Sequence, residues 1–469
     1  MADHADAESP AGKGGTAQPT LGRTPRAGGS GEARPPGPAQ YDIVVVGAGP
    51  AGAAAALAAA REGRSVCLLE RGPFPGAKNM YGGVVYGRIL DDLVPGWYDE
   101  APVQRWVTRR QTMILAEEQS FTADFRTQKW SRAPYNGATA YRADFDAWLA
   151  GKAVEAGATL VTSTVATGLI RENGRVAGVT TDRPDGELRA QTVIACDGVN
   201  SFLAKEAGLY PHTDPGHYTL GVKEVLALPR EEIDKRFGVS GDEGVDIEIL
   251  GATPGIPGGG FVYTNTDTVA VGVIVRLPEL SAAKARPEEL IAGLKRHPSI
   301  APLVRGGELK EYSAHLIPEG GYDMMPRLVT DGMLVAGDAA ALVLAAGIWL
   351  EGVNYAIGSG MYAGRAAAAA VAGGDTSRRG LAPYRTALED SFVLRNHRKL
   401  RRAPGLIMSE RMQGAYPQLV CDLVEELFTV TDPAAKPGGL AAARRGLKRR
   451  GVRLRDLVRD GWAAFRSYG

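Results

Sequence analysis

Cysteine is scarce in this chain, with 3 residues in 469, at Cys67, Cys196 and Cys421. They are too few and too far apart for a disulfide scaffold, a zinc site or an iron–sulfur spacing, which predicts a reducing compartment. Neither sign of charge prevails: 54 Lys+Arg against 53 Asp+Glu leave a formal charge of +1. No global field therefore recruits nucleic acid or an acidic substrate. Long apolar runs are missing too. The longest uncharged one, Ala339 to Leu350, lies between Asp338 and Glu351 and falls far short of the roughly 20 residues of a membrane span. The first residues lack the apolar core of a secretory signal, so a protein not integral to a membrane is expected. His212, His217, His297, His315 and His397 form no H-E-x-x-H or H-x-x-x-H arrangement, and no metal is expected.

What is present is a chain long enough for two packed domains, or one large α/β domain with an insertion, and able to bury a large cofactor. Residues 1–40 are rich in Gly, Pro and Ala with almost no large apolar side chain, which predicts a disordered tail. Order is expected from Tyr41. Ile43 to Val46 reads as a buried strand that runs into Gly47-Ala-Gly49-Pro50-Ala51-Gly52, and Ala53 to Ala60 reads as a helix. A second strand, Ser65 to Leu69, ends in Glu70 and Arg71, at the roughly 20-residue spacing of a dinucleotide fingerprint. In that pattern Gly47 allows the tight turn, Gly49 lets the backbone approach a pyrophosphate, and Gly52 lets helix pack on strand. Glu70 accepts hydrogen bonds from the adenosine ribose. An ADP moiety is expected here.

Two later strands separate FAD from NAD. Thr192 to Cys196 ends in Asp197, and Met333 to Ala336 ends in Gly337-Asp338. Ligands of a doubly wound sheet sit at the carboxyl ends of its strands, so Asp338 can bond the ribityl hydroxyls of a flavin. Each Asp alone reads equally as a helix N-cap.

With these three motifs in order, the chain resembles the FAD-dependent oxidoreductases of the p-hydroxybenzoate hydroxylase type from Tyr41 to about Gly374. Tyr141-Arg142-Ala-Asp-Phe-Asp146 is similar to that group's R-x-x-F-D segment, which implies that Arg142 contacts the cofactor; otherwise it is a surface Arg beside a helix starting near Asp144. Gly352-Val-Asn354 is similar to its G-x-N turn, opening a helix under the flavin. Three further stretches resemble electron-transfer-flavoprotein:quinone oxidoreductases, and the FixC family among them. They are Lys78 to Gly83, Gly258 to Asn265, and His297 to Ile300 followed by His315 to Gly321. The resemblance implies FAD as cofactor, an electron-transfer flavoprotein as donor, a separate small ferredoxin-like iron–sulfur subunit as relay, and a membrane quinone as acceptor. It demands no catalytic acid, base or nucleophile, and His297 and His315 read more simply as structural.

The expected fold is α/β. A Rossmann-type FAD-binding domain occupies 41–218 and 322–374, an inserted antiparallel β-sheet domain 219–321, and a helical region 375–469. The inserted sheet, with strands at Leu220 to Leu226, Val245 to Leu250, Gly260 to Tyr263 and Val269 to Val275, is expected to bound the quinone pocket, with Phe261 and Tyr263 either offering contact there or packing the sheet core. Past Pro437 the chain is basic, from Arg444 to Arg466, interleaved with Leu447, Val452, Leu454, Leu457, Val458, Trp462 and Phe465. Such an end suits an anionic membrane surface or an acidic subunit, and a cytoplasmic protein peripheral to the inner face of the membrane is expected. A flavin monooxygenase or prenyl reductase of the same fold, and an FAD-bearing subunit without catalysis, are the alternatives.

Overall fold

The structure, a computed structural model, describes residues 39–77, 83–210, 214–347, 349–436 and 438–469. The expected tail up to residue 38, most of the Lys78 to Gly83 stretch, and His212 lie outside the described residues. The first strand is Ala39–Val46. It begins inside the segment expected to be disordered, because Ala39 and Gln40 pair with Leu188 and Arg189 of the strand Glu187–Ala195.

That strand is central to an eight-stranded sheet. Met333–Val335, Glu187–Ala195, Ala39–Val46, Val66–Leu69 and Thr159–Val161 run parallel, in that spatial order. Their apolar, β-branched sequence matches a layer buried on both faces, and Ile43, Val44, Val45, Leu68 and Ile194 are wholly buried. The helix Pro50–Arg61 and the long helix Val353–Ala372 pack together through small residues. A Cβ on Gly360 would lie 2.0 Å from the Ala51 carbonyl oxygen, and one on Gly364 2.2 Å from that of Ala55. Only glycine lets these two backbones approach so closely.

The second sheet has nine strands. Tyr218–Ala227, Glu243–Leu250, Gly258–Thr264, Thr268–Arg276 and Glu308–Pro318 come from the segment expected to be inserted. The sheet also recruits Val84–Val85, Val103–Leu115, Ser120–Arg126 and Ala138–Ala140. Glu243–Leu250 joins Val103–Leu115 in parallel; the other pairings are antiparallel. The helix Pro287–Arg296 covers one face, burying Ile291 and Leu294.

Beyond the long helix, the region expected to be helical is divided into short helices, Pro383–Asp390, Phe392–Lys399 and Ala403–Ile407 among them. Ser391 caps a new helix, its hydroxyl accepting from the Val393 N–H. Pro404 sits in the first turn of Ala403–Ile407, where its missing N–H costs nothing. The terminal helix, Leu454–Tyr468, is tied to this region through Asp460.

Candidate functional site

The parallel strands deliver Gly47, Glu70, Asp197 and Asp338 to one edge of the first sheet, where they line a cleft of about 330 Å³. Each loop there has a local cause. Gly47 turns with φ +99°, its N–H donates to the Leu69 carbonyl at 2.9 Å, and a Cβ on it would lie 2.3 Å from the Cys196 carbonyl oxygen. A Cβ on Gly52 would fall 1.8 Å from the Gly47 oxygen. Both glycines are thus required by packing. Gly49 differs: its φ is −71° and a Cβ would meet nothing within 4 Å. The space beside Gly49 belongs to the cleft, together with Pro50 and Ala51.

Glu70 ties two loops together, Oε2 accepting from the Ala48 N–H at 3.1 Å and Oε1 from the Gly72 N–H at 2.6 Å. Its remaining lone pairs are available to a ligand, and the exposed Arg71 follows it on the wall. Arg142 is buried, not a surface residue. It opens the helix Arg142–Glu155 and makes a two-point ion pair with Asp146, one turn on. Both lie on the cleft wall.

The two carboxylate oxygens of Asp197 differ in their partners. Oδ2 accepts from the Leu203 N–H at 3.0 Å, while Oδ1 is buried and has no hydrogen-bond partner among the described residues. Burial pushes this carboxyl up. Asp338 is half-buried on the opposite wall; burial pushes its carboxyl up, and His315 and Arg142 pull it back. Gly337 is off the wall. It turns with φ +66°, and its N–H donates to the Ser359 hydroxyl at 3.0 Å, presenting the aspartate that follows.

The long helix begins at the cleft, with Gly352 and Val353 on the wall. Its first turn carries no acidic residue and no side-chain cap, which leaves its N–H groups and positive dipole end available to an anionic or electron-rich group. Asn354 is not a wall residue. Its amide donates to Glu351 at 2.6 Å and its Oδ1 is buried without a partner among the described residues. Glu351, His315, Ile317 and Glu319 are wall residues that the sequence reading did not assign to the cofactor. Glu351 directly precedes the Gly352 turn and Glu319 lies in the His315 to Gly321 stretch singled out above, so each had a sequence signal.

The three thiols are buried and separate. Burial raises Cys67 to about 11 and Cys196 further, so both are protonated. His297 is structural, with Nε2 bonded to the Ala116 carbonyl at 2.8 Å and Nδ1 accepting from Ser299. His315 instead faces the cleft.

A second cavity, of about 820 Å³, shares Ile274, Glu319 and Leu350 with the first. Its walls join Gly258, Gly259 and Gly260 of the second sheet to Pro404, Met408 and Tyr468 of the helical region. Phe261 and Tyr263 line neither of these two cavities. They stack on each other at 5.7 Å within the sheet core, and the Phe261 ring fills the place of a side chain at Gly272. Of the two readings of this pair, packing in the sheet core is the one observed.

An unpartnered buried acceptor, open space at Gly49 and an uncapped helix end fit a flavin dinucleotide. Comparison with known proteins points the same way. Residues 42–209 match the family described as FAD dependent oxidoreductase, and residues 403–469 match the ETF-QO/FixC family C-terminal domain. The chain is 39% identical over 423 residues, covering 90% of it and 97% of the relative, to the probable electron transfer flavoprotein-quinone oxidoreductase YdiS of Escherichia coli. It is 38% identical, with the same coverage, to Protein FixC of Escherichia coli. Among solved structures it is similar to a geranylgeranyl bacteriochlorophyll reductase-like protein of Thermoplasma acidophilum, with a TM-score of 0.68 at 23% identity over 90% of this chain and 99% of the other. That last likeness concerns the fold.

Proposed function

The chain belongs to the ETF-QO/FixC family of FAD-dependent oxidoreductases, and from this premise we propose that it passes electrons from an electron-transfer flavoprotein, through a separate ferredoxin-like iron–sulfur subunit, to a membrane quinone. FAD is its cofactor and exchanges one or two electrons, which suits a one-electron cluster on one side and a two-electron quinone on the other. In this reading Gly47, Gly49, Pro50, Ala51 and the start of the helix behind them hold the pyrophosphate, and Glu70 with Arg71 holds the adenosine end. Asp338, Asp197 and Arg142 hold the ribityl and flavin side. Gly352 opens the helix whose N–H groups face the flavin. Gly52, Gly337 and Asn354 keep these groups in place. The sequence's three cysteines cannot supply four thiolates, which supports a cluster carried by a partner.

One observation carries the membrane side of the proposal. The terminal helix bears Tyr468 on the wall of the second cavity and leaves Leu454, Val458, Trp462 and Phe465 exposed. An apolar face flanked by Arg453, Arg455 and Arg466 suits an anionic lipid surface and brings the second cavity to it, so the protein works at the inner face of the membrane. Among the described residues no helix is long and apolar enough to cross it. The test follows quinone reduction by the FAD-loaded chain with the flavoprotein alone, and with flavoprotein plus the ferredoxin-like subunit. Efficient reduction only in the second mixture is expected; equal rates would remove the need for the iron–sulfur partner, and no reduction in either would refute the proposal.

A further inference from the structure

One carboxylate stands in the wall common to both cavities. Glu319 lines each of them, is 8% exposed, and its Oε2 has no hydrogen-bond partner among the described residues. Its backbone is held tightly. The Glu319 N–H donates to the His217 carbonyl at 2.9 Å, and a Cβ on Gly320 would lie 2.7 Å from both the His217 ring and the Met324 side chain. Gly321 then turns with φ +67°. A buried carboxyl oxygen that lacks a partner is costly to the fold, and this one belongs to a side chain set where the cofactor cleft meets the second cavity.

Quinone reduction consumes two protons with its two electrons. Resting on the quinone reading above, we propose that Glu319 is a catalytic residue of that reaction, the acid that protonates one oxygen of a quinone bound in the second cavity. The Glu319 O–H bond breaks as a quinone O–H bond forms, and the electron pair is the one the reduced cofactor supplies. The oxygen at the far end of the ring takes its proton from solvent, which also reprotonates the carboxylate left behind, so the quinol leaves with two electrons and two protons.

Burial raises the Glu319 carboxyl to about 7, against the influence of the nearby Thr219 hydroxyl, which matches a proton donor to neutral pH. The charged and titratable groups lining the first cavity with it are Glu70, Arg71, Arg142, Asp146, Cys196, Asp197, His315, Asp338 and Glu351. Across the second they are His217, Glu248, Arg276 and Asp323, with Arg401, Arg402 and Tyr468 on the helical side.

The experiment uses the full FAD-loaded chain, reduced anaerobically with stoichiometric dithionite and mixed with a water-soluble short-chain quinone. The wild-type rate is expected to fall as pH rises through about 7. Glu319→Gln is expected to lower that rate about a hundredfold and to flatten the pH profile while quinone affinity is kept; Glu319→Asp should restore part of it. Ferricyanide, which takes an electron without a proton, checks that the variants still deliver electrons. Infrared titration of the wild type adds a readout independent of turnover: a carboxylic-acid band should titrate near neutral pH and vanish in Glu319→Gln. Wild-type rate and pH profile in Glu319→Gln, or no such band in the wild type, would overturn the role of Glu319 and leave the quinone reading standing. A reduced wild type that passes electrons to ferricyanide but never to quinone would take both down.

Discussion

Arg142 and Asp146 meet through two hydrogen bonds, Nε to Oδ1 at 2.8 Å and Nη2 to Oδ2 at 2.9 Å, with both side chains buried in the wall of the cofactor cleft. Removing one member strands the other charge. Asp146→Ala is therefore expected to destabilise the protein by about 3–5 kcal/mol, and the double replacement Arg142→Met with Asp146→Leu by much less. Urea unfolding of the three proteins checks this. If Arg142 also contacts FAD, the double variant regains stability without regaining wild-type flavin affinity.

Gly49 and Gly52 separate ligand binding from packing. A carboxylate at position 49 enters open space and repels a pyrophosphate, so Gly49→Asp should fold and contain no FAD. Gly52→Ala puts a methyl group against the Gly47 carbonyl and should fail to yield folded protein. Circular dichroism together with flavin absorbance distinguishes the two outcomes, and normal FAD content in Gly49→Asp would contradict the assignment.

Asp338→Ala removes a charged acceptor from the proposed ribityl contact. A loss of about 1.5–3 kcal/mol is expected, or roughly 10- to 150-fold in FAD affinity. Fluorescence titration of the apoprotein measures it. An unchanged dissociation constant would reduce Asp338 to a cap of the short turn that follows it.

Asp460 accepts from Arg411 at 2.5 and 2.8 Å and from the Tyr416 hydroxyl at 2.7 Å. Chiefly through the Arg411 hydrogen bonds, its carboxyl is held well below the ordinary range. The stability this adds is present above the unfolded value of about 3.9 and is lost as pH falls below it toward the folded value. Acidification from about pH 4 downward should progressively loosen the terminal helix, with release complete only below the folded value, and Arg411→Gln should loosen it at neutral pH. Limited proteolysis of residues 438–469, read by mass spectrometry, would show this; cleavage unaffected by acid would contradict it.

Trp462 and Phe465 stack at 5.5 Å on the exposed side of the same helix. Replacing both with Ser should weaken flotation with anionic liposomes and leave FAD content unchanged. Salt should weaken binding further, since part of the attraction is to Arg453, Arg455 and Arg466. Deleting everything from Gly439 is a poorer test, because it also removes Tyr468 from the second cavity and the Asp460 anchor.

The basic end illustrates how charge read along a chain differs from charge in space. Arg445 pairs with Glu426, and Arg450 makes two bonds to Asp422 of the preceding helix Tyr416–Phe428. Part of the positive run is thus spent on anchoring. The periodic apolar residues survive as an exposed face because Asp460 turns the opposite side inward.

The amino-acid order by itself determined the strand, glycine turn and helix at Gly47 to Gly52, the acidic residue at Glu70, and the strand-end aspartates Asp197 and Asp338. These depend on local geometry: a tight turn needs glycine, and a buried strand needs a β-branched run, whatever surrounds them. Tertiary structure alone decided that Val84–Val85 and Val103–Leu115 join the second sheet, that Phe261 and Tyr263 face its core, and that Arg142 is buried against Asp146. It alone brought Glu319 between two cavities whose walls come from residues as distant as Gly47, Thr112 and Tyr468. Pairing across such separations leaves no periodic trace, since which face of a strand is buried depends on the partner that arrives, and a loop carboxylate acquires its chemistry only from the walls that close around it.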